Sequence, residues 1–274
     1  MKDENRLDIV FGIDDGYTDP LIVTAYSVIK NNLSFNEIYF HIITNGVSKN
    51  NQKKIKNLEG TFSGIHFDFT LVDDTPFKEF PLNIKHISPI SYGRFLIADI
   101  FGTLEKVLYL DADILVLGDL SELWSVDIRD NCIAGSHKQY INRQFPGYKE
   151  SIGLSQDSIY INSGVMLMNL KRIRRLNKTQ ELLANAKKLK DTVRIQDQDI
   201  INITFNGEIK NVHKKYNYTD SDRREASLRE EEVVIVHFNT QNKPWGSDFL
   251  NNDTNKLFAE KYLEYKHEAI TAKI

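Results

Sequence analysis

The sequence predicts an α/β fold with a mostly parallel central sheet flanked by helices. Two observations lead to this prediction. Short apolar runs of strand length alternate with longer segments in which apolar residues recur at helical spacing. The chain has 274 residues, which suits one large domain. A β-α-β-α-β order of this kind implies parallel strands joined by helices that cover the sheet.

The first half of the chain carries the regular part of this pattern. Four apolar runs predict buried strands, and they are Ile9–Ile13, Ile38–Thr44, Phe67–Val72 and Val107–Leu110. Three segments between them predict helices, and they are Pro20–Leu33, a segment that Ser48 caps and that runs to Leu58, and Tyr92–Phe101. Parallel sheets bind ligands at the carboxyl ends of their strands. The acids directly after the first and fourth runs, Asp14–Asp15 and Asp111–Asp113, are therefore candidate site residues.

The second half is less regular. Strands are predicted in Asp157–Leu170 and Val233–His237, and helices in Gln196–Phe205 and Thr254–Ala272. The polar stretch Asn211–Glu232 predicts a mobile loop. We expect one nucleotide-binding domain over residues 1-250 and a C-terminal helical tail over residues 251-274.

Composition excludes several classes of protein. With 35 basic and 38 acidic residues the net charge is -3, which gives no reason to expect nucleic acid binding. The single cysteine, Cys132, excludes an internal disulfide and favours a reducing compartment. No signal peptide or membrane-spanning run is evident. We expect a cytoplasmic protein with at most peripheral membrane contact, at the inner face. A basic cluster at 171–178 is either a solvated helix start or a surface for an anionic acceptor or membrane.

The segment that ends in Asp111-Ala-Asp113 is the strongest chemical signal. The triplet alone is weak, because Asp-x-Asp also occurs at Asp197–Asp199 and Asp220–Asp222. Its position at the end of an apolar strand is more informative, since buried carboxylates need partners. A divalent cation such as Mg²⁺ or Mn²⁺ is an efficient partner. The alternative is that both acids cap the next segment or face water.

Later residues extend this candidate site. His237 ends an apolar strand and would add an imidazole ligand, which favours Mn²⁺ over Mg²⁺. Lys243, on a turn before Pro244, would meet a diphosphate. Polar side chains suited to sugar hydroxyls complete the set, and they are Arg94, Asn162, Asp197 and Gln198. Each of these residues alone is more often structural than functional.

Together these segments resemble glycosyltransferase family 8, and within it the bacterial lipopolysaccharide galactosyltransferase and glucosyltransferase group. The resemblance runs from about Ile9 to Trp245. Its landmarks are Phe11–Tyr17, Phe80–Ser88, Tyr92–Arg94, Val107–Asp113, Tyr160–Val165, Gln196–Asp199, and His237 followed by Lys243–Trp245. The resemblance implies a GT-A fold and a retaining transfer of galactose or glucose from a UDP-sugar to a saccharide or glycolipid acceptor.

The resemblance also implies a role for each matching residue. The metal ligands would be Asp111, Asp113 and His237, holding Mn²⁺ with Mg²⁺ as the alternative. The nucleotide would contact Gly12, Asp14, Tyr17 and Lys243, with Tyr17 stacked on uracil. The donor sugar would contact Arg94, Asp111, Asn162, Asp197 and Gln198, and His86 would lie on the acceptor side. Of these, Gln198, Asp197 and Arg94 are the expected catalytic residues.

Some positions depart from the family pattern. Gly16 replaces an asparagine, Thr240 replaces a glycine near the diphosphate, and Lys138 and Ile195 replace an acid and a tyrosine at the sugar or acceptor pocket.

An amide at Gln198 is a poor nucleophile, which favours attack by the acceptor from the face that UDP leaves. Two other functions stay open from sequence: a phosphatase with an Asp-x-Asp nucleophile, and a non-catalytic nucleotide-sugar binding protein.

Overall fold

The computed structural model describes residues 5–84, 88–138, 140–246 and 253–272. Nine strands lie in these residues, and they are β1 (Arg6–Ile13), β2 (Glu37–Thr44), β3 (Ile65–Leu71), β4 (Lys106–Leu110), β5 (Ile114–Val116), β6 (Ile133–Ser136), β7 (Val165–Asn169), β8 (Ile209–Val212) and β9 (Ile235–His237). Seven strands form one sheet in the order β3-β2-β1-β4-β7-β6-β8, and β5 pairs with β9 separately.

Helices cover this sheet. The α-helices in the described residues are α1 (Thr18–Asn31), α2 (Lys49–Thr61), α3 (Ile97–Ile100), α4 (Ser121–Trp124), α5 (Tyr140–Gln144), α6 (Tyr148–Ser151), α7 (Leu170–Arg175), α8 (Lys178–Lys188), α9 (Gln196–Thr204), α10 (Asp220–Arg224) and α11 (Asp253–Thr271). Short 3₁₀ helices occur at Asp15–Tyr17, Thr75–Glu79, Pro89–Leu96, Lys214–Tyr216 and Glu230–Glu232. None of the described helices is long and apolar enough to cross a membrane.

The first half follows the prediction closely. Strands β3, β2, β1 and β4 are parallel neighbours, which confirms a mostly parallel sheet. Helices α1 and α2 connect them, and the Ser48 hydroxyl accepts a hydrogen bond from the Asn51 backbone N–H, as an N-cap residue should. The strands are buried because helices lie on the sheet, so their sequences are continuous apolar runs. Asp14 and Asp111 therefore both lie at the carboxyl edge.

The sheet changes direction beside β4, and this change places the second half of the site. Strand β7 runs antiparallel to β4, with Leu110 opposite Val165. The residues just before β7 thus lie beside the residues just after β4. The Asp111 backbone N–H donates to the Gly164 carbonyl at 2.8 Å. Two segments that are far apart in sequence meet at one point of the edge.

Two predicted elements are wrong in extent. Most of Tyr92–Phe101 belongs to the 3₁₀ helix, and only Ile97–Ile100 is α-helical. The Arg94 Nε donates to the Ser91 carbonyl at 2.9 Å, which takes an acceptor that an α-helix would use. In Asp157–Leu170 only Val165–Asn169 is a strand, because the Asn162 side chain accepts from the Gly164 N–H and forms a local turn.

The predicted loop at Asn211–Glu232 is also wrong. It contains part of β8, two 3₁₀ helices and α10. Asn217 and Thr219 are fully buried within it. The side chains of these two residues bond to other buried polar groups, so polar composition did not indicate exposure at these positions.

Two peripheral features have structural explanations. In the basic cluster at 171–178, Arg172 pairs with Glu208 at 2.7 Å and Arg174 donates to the Leu104 carbonyl at 2.8 Å. These contacts favour the structural interpretation of the cluster. The single cysteine, Cys132, is buried, as expected. Helix α11 packs against α1, and Tyr262 is buried in the core cluster that contains β1.

Candidate active site

A cleft of about 400 Å³ opens at the carboxyl edge of β1 and β4. Eleven of the twelve site residues expected from sequence line it, and they are Gly12, Asp14, Tyr17, Arg94, Asp111, Asp113, Asn162, Asp197, Gln198, His237 and Lys243. The twelfth, His86, lies outside the described residues. The fold therefore brings together residues from β1, β4, the turn before β7, α9 and β9.

Three of these side chains converge on one point. Asp111, Asp113 and His237 each offer a ligand atom, and these atoms lie within 4.8 Å of one another. His237 Nε2 is 3.2 Å from Asp113 Oδ1 and 3.6 Å from Asp111 Oδ2. The strand pair β5–β9 produces this approach, because Ile114 lies opposite His237. Two carboxylates and one imidazole form a donor set that suits Mn²⁺.

The chemistry of the cluster fits a cation at this point. Asp113 Oδ1 is buried and has no hydrogen-bond partner among the described residues. Its other oxygen accepts from Lys243 Nζ at 2.6 Å. Burial alone would raise the pKa of Asp113, but the Lys243 ammonium opposes that effect, and the pKa lies below its usual range. The carboxylate is thus kept ionised, with one oxygen available as a ligand.

Gly164 leaves the space in which this cluster forms. A Cβ atom at Gly164 would lie 2.2 Å from His237 Cε1 and 2.5 Å from Asp111 Oδ2. Both distances are far inside van der Waals contact. Any side chain at this position would displace two of the three candidate ligands.

Arg94 connects the cluster to the rest of the cleft. Its Nη2 donates to Asp111 Oδ1 at 2.9 Å, and its Nη1 lies 3.0 Å from Asp197 Oδ2. Burial would lower the pKa of Arg94, but the carboxylates of Asp111 and Asp197 raise it above its ordinary value. Burial raises the pKa of Asp197, although Arg94 opposes that shift. The guanidinium therefore stays charged and holds two carboxylates in fixed positions.

Amides occupy the deepest wall. The Asn162 Nδ2 donates to Gln198 Oε1 at 2.9 Å, and the Gln198 Nε2 donates to the Tyr160 hydroxyl at 3.1 Å. The Tyr160 hydroxyl in turn donates to Asp199, which is fully buried. This chain of hydrogen bonds fixes the orientation of the Gln198 amide.

The opposite end of the cleft begins at β1. The Asp14 side chain accepts from the Gly16 N–H at 3.1 Å, and Tyr17 packs edge-on against Trp245 with ring centroids 6.2 Å apart. Burial, together with the negative charges of Asp113 and Asp111, raises the pKa of Tyr17. Its hydroxyl therefore stays protonated, and the neutral ring is suited to stacking.

Sequence reasoning missed several residues that line the cleft. They are Ile13, Ile84, Ser88, Ile90, Ser91, Ala112, Tyr140, Gln144, Phe145, Ser163, Asp220, Ser221, Arg224 and Asn239. Most come from short helices or loops that carry no strand-end signal. Asp220 and Ser221 belong to the Asp220–Asp222 triplet, which in the sequence is only a further occurrence of Asp-x-Asp.

Among the positions that depart from the family pattern, Ile195 and Thr240 line the cleft but Lys138 does not. Lys138 is 1% exposed, and its Nζ donates to the Asn217 carbonyl and to Asp222, each at 2.6 Å. Lys138 therefore does not line this cleft, although the family pattern has a pocket residue at its position. Its ammonium is held by an internal carboxylate and a carbonyl.

Comparisons with known proteins agree with this geometry. Residues 8–248 match the family described as Glycosyl transferase family 8. The chain is similar to the galactosyltransferase LgtC, solved in complex with donor and acceptor sugar analogs, with a TM-score of 0.85, 32% identity and 96% of each chain covered. LgtC has the GT-A fold, which this chain shares.

Two curated relatives point to the same class of enzyme. The lipopolysaccharide 1,2-glucosyltransferase of Escherichia coli is 28% identical, covering 96% of this chain and 79% of that protein. The lipopolysaccharide 1,3-galactosyltransferase of Salmonella typhimurium is 27% identical, covering 90% and 75%. The phosphatase interpretation of Asp111-Ala-Asp113 is therefore wrong. The chain is a glycosyltransferase, and it belongs to glycosyltransferase family 8.

Proposed function

We propose that this enzyme transfers galactose or glucose from a UDP-sugar to a saccharide or glycolipid acceptor, with Mn²⁺ held by Asp111, Asp113 and His237. Mg²⁺ is the alternative metal. The observation that carries the proposal is the convergence of two carboxylates, an imidazole and Lys243 beside a cleft lined with polar groups that suit sugar hydroxyls. The names of the similar enzymes support a hexose donor and a lipopolysaccharide or other cell-surface acceptor.

Charge stabilisation is the main task of such a site. Breaking the bond between the sugar and UDP builds negative charge on the departing diphosphate, and a bound metal supplies positive charge there. The Lys243 ammonium adds a second positive charge on the same side of the cleft. Its present contacts, with Asp113 and the Phe238 carbonyl, keep it beside the metal ligands. Gly12, Asp14 and Tyr17 would hold the nucleoside.

The donor sugar would lie between Arg94 and the amide wall. Asp111 and Asp197, both oriented by Arg94, would accept hydrogen bonds from sugar hydroxyls. Asn162 and Gln198 would contact the opposite side of the ring. Buried, pre-oriented polar groups favour a hexose that satisfies all of them, because an unmatched group would lose its hydrogen bonds.

We propose same-face attack, with retention at the anomeric carbon. A covalent intermediate would need a free carboxylate beneath the sugar. Asp199 is fully buried, and its oxygens accept from two tyrosine hydroxyls and two backbone N–H groups. Asp197 is paired with Arg94. Gln198 presents an amide, so the acceptor hydroxyl itself is the nucleophile we favour, with a UDP phosphate oxygen taking its proton.

The acceptor would enter past α5. Tyr140, Phe145 and Ile195 form an apolar wall there, and Arg224 and Ser221 add polar groups. Such a mixture of rings and hydrogen-bonding groups suits a sugar. We also propose that His86 contributes on this side, and that the enzyme acts in the cytoplasm, at most in peripheral contact with the inner face of the membrane.

The test is UDP release from a panel of nucleotide sugars in the presence of Mn²⁺. We expect release from UDP-galactose or UDP-glucose and none from GDP-mannose. Nucleotide release from none of the three would contradict the proposal. Binding of UDP without any release would favour a non-catalytic nucleotide-sugar binding protein. Trapping a glycosyl group on Asp197, Gln198 or Asp199 would contradict same-face attack.

A further inference from the structure

Asn217 lies behind the candidate metal site and contacts both His237 and Asn162. We propose that Asn217 is a positioning residue that fixes the tautomer of His237, so that the lone pair of Nε2 faces the two carboxylates. This inference rests on the proposed metal site. Asn217 comes from the segment that the sequence predicted to be a loop, and no motif marks it.

The argument starts from a group whose role in a hydrogen bond is fixed. The backbone N–H of Gly164 donates to Asn162 Oδ1 at 3.1 Å. Since a backbone N–H can only donate, the oxygen of the Asn162 amide must lie on that side. The nitrogen then faces Gln198 Oε1, which also accepts from the Ser163 N–H at 3.4 Å. Both amides are thus oriented by backbone donors.

Asn217 connects the oriented Asn162 amide to the His237 imidazole by hydrogen bonds. Because Asn162 Oδ1 is an acceptor, Asn217 must offer its nitrogen, which lies 2.9 Å away. The Asn217 oxygen then faces His237 Nδ1 at 3.0 Å. That oxygen can only accept, so Nδ1 must carry a proton, and this selects the Nδ1–H tautomer whenever the imidazole is neutral. Nε2 is left with its lone pair, beside Asp113 Oδ1 and Asp111 Oδ2. Three acceptor atoms therefore face one another, which is the arrangement a cation needs.

Burial keeps this chain of amides in one orientation. Asn217 is fully buried, and His237 is 2% exposed. The Asn217 carbonyl accepts from Lys138 Nζ at 2.6 Å, and Lys138 pairs with Asp222. A flipped Asn217 amide would place two donors or two acceptors face to face away from water, which is unfavourable. Lys138 therefore anchors the backbone from which Asn217 reaches His237.

The same chain couples the metal ligands to the donor-sugar residues. Asn162 and Gln198 line the cleft, whereas Asn217 lies behind them and contacts the imidazole. Removing the Asn162 side chain would free Asn217 to rotate, although Asn162 offers no ligand atom. Metal affinity should then depend on a residue whose proposed role is to bind sugar.

The first test uses the metal-free protein with ¹⁵N-labelled histidine. At a pH at which the imidazole is neutral, NMR chemical shifts should show His237 protonated at Nδ1, with the signal assigned by its loss in His237→Gln. Asn217→Ala should convert it to a mixture of tautomers. A wild-type His237 protonated at Nε2, or a signal that Asn217→Ala leaves unchanged, would overturn the inference.

The second test measures the affinity for Mn²⁺ alone, by electron paramagnetic resonance. Asn217→Ala should weaken binding by about 10–100-fold, the usual consequence of losing the outer partner of a histidine ligand. Asn162→Ala, which keeps Asn217, should weaken it less.

The matched control is Asn32→Ala. Asn32 is also fully buried, accepts from the Leu120 N–H at 2.7 Å and lies at the end of α1. The Asn32→Ala substitution should lower the melting temperature and leave the affinity for Mn²⁺ unchanged. Equal loss of stability in both variants, with no change of Mn²⁺ affinity in Asn217→Ala, would overturn the inference. A wild type that binds no Mn²⁺ would instead contradict the proposed metal site, and the NMR experiment would still decide the tautomer.

Discussion

The two halves of this molecule are held together differently. In β1 to β4, stability comes from apolar strands under amphipathic helices, and Phe40 and Leu108 are fully buried there. Around α9 and the turn before β7, the buried side chains include Gln196, Asp199 and Asn202, which are equally inaccessible. Apolar burial is non-directional and tolerates variation, whereas buried amides and carboxylates stabilise the protein only when every partner is in place. The first half forms a stable scaffold, and the second half holds the polar side chains of the site in fixed orientations.

The largest effect is expected from a substitution at Asp113, in the candidate metal site where the two halves meet. Asp113→Asn should lower UDP release by about 10³-fold, since removing one charge-stabilising group in an active site commonly costs about 10²–10³-fold. It should also lower the melting temperature of the metal-free protein, because the substitution removes the negative partner of the Lys243 ammonium. Activity assays and thermal unfolding measure the two quantities. A large loss of stability together with little loss of activity would mean that Asp113 is structural.

Gly164→Ala tests the space at the same point. The new methyl group would displace His237 and Asp111, so we expect Mn²⁺ affinity and activity to fall by about 10-fold or more, as for other losses at a metal site. Calorimetric titration with Mn²⁺ measures the affinity. Gly60→Ala is the control: an added Cβ there meets nothing within 4 Å, and the helical position should gain about 0.5–1 kcal/mol. Equal behaviour of the two variants would contradict the steric account.

A pair of truncations sharpens the contrast between scaffold and orientation. Phe40→Ala should cost about 3–5 kcal/mol of unfolding free energy and leave the KM for the donor unchanged. Asn202→Ala should cost about 1–3 kcal/mol, since Asn202 bonds both backbone groups of Ile161, and it should raise that KM because α9 carries Gln198. Urea unfolding and donor kinetics test both. A donor KM that changes in Phe40→Ala alone would reverse the comparison.

The smallest expected effect is a pH dependence within the scaffold. Burial would raise the pKa of Asp8, but hydrogen bonds from His41 and Arg6 outweigh it and lower that pKa. Because the folded-state pKa is depressed, the ionised carboxylate stabilises the protein above its ordinary pKa, and the benefit disappears as the pH falls through the folded value. Asp8→Asn should therefore cost about 1 kcal/mol at pH 7 and progressively less at acidic pH. A stability difference that is constant with pH would contradict this assignment.

The sequence predicted the scaffold better than it predicted the hydrogen-bond network of the site. Runs such as Ile38–Thr44 show their burial directly in their composition, and acids that follow such runs must lie at the sheet edge. Resemblance to a family supplied eleven of the residues that line the cleft. Neither signal identified Asn217, and the resemblance placed Lys138 at the pocket rather than against Asp222, because the role of each residue depends on which buried group it faces. A polar residue in a polar stretch looks the same in sequence whether it faces water or an imidazole.

The most direct test of the account is UDP release from UDP-galactose and UDP-glucose by chelator-treated protein, before and after Mn²⁺ is restored. The account predicts no release from the stripped protein and restored release with Mn²⁺, with His237→Ala needing far more Mn²⁺ for the same rate. Full release from the stripped protein, or a His237→Ala variant with wild-type dependence on Mn²⁺, would contradict the assignment of Asp111, Asp113 and His237 as the metal site.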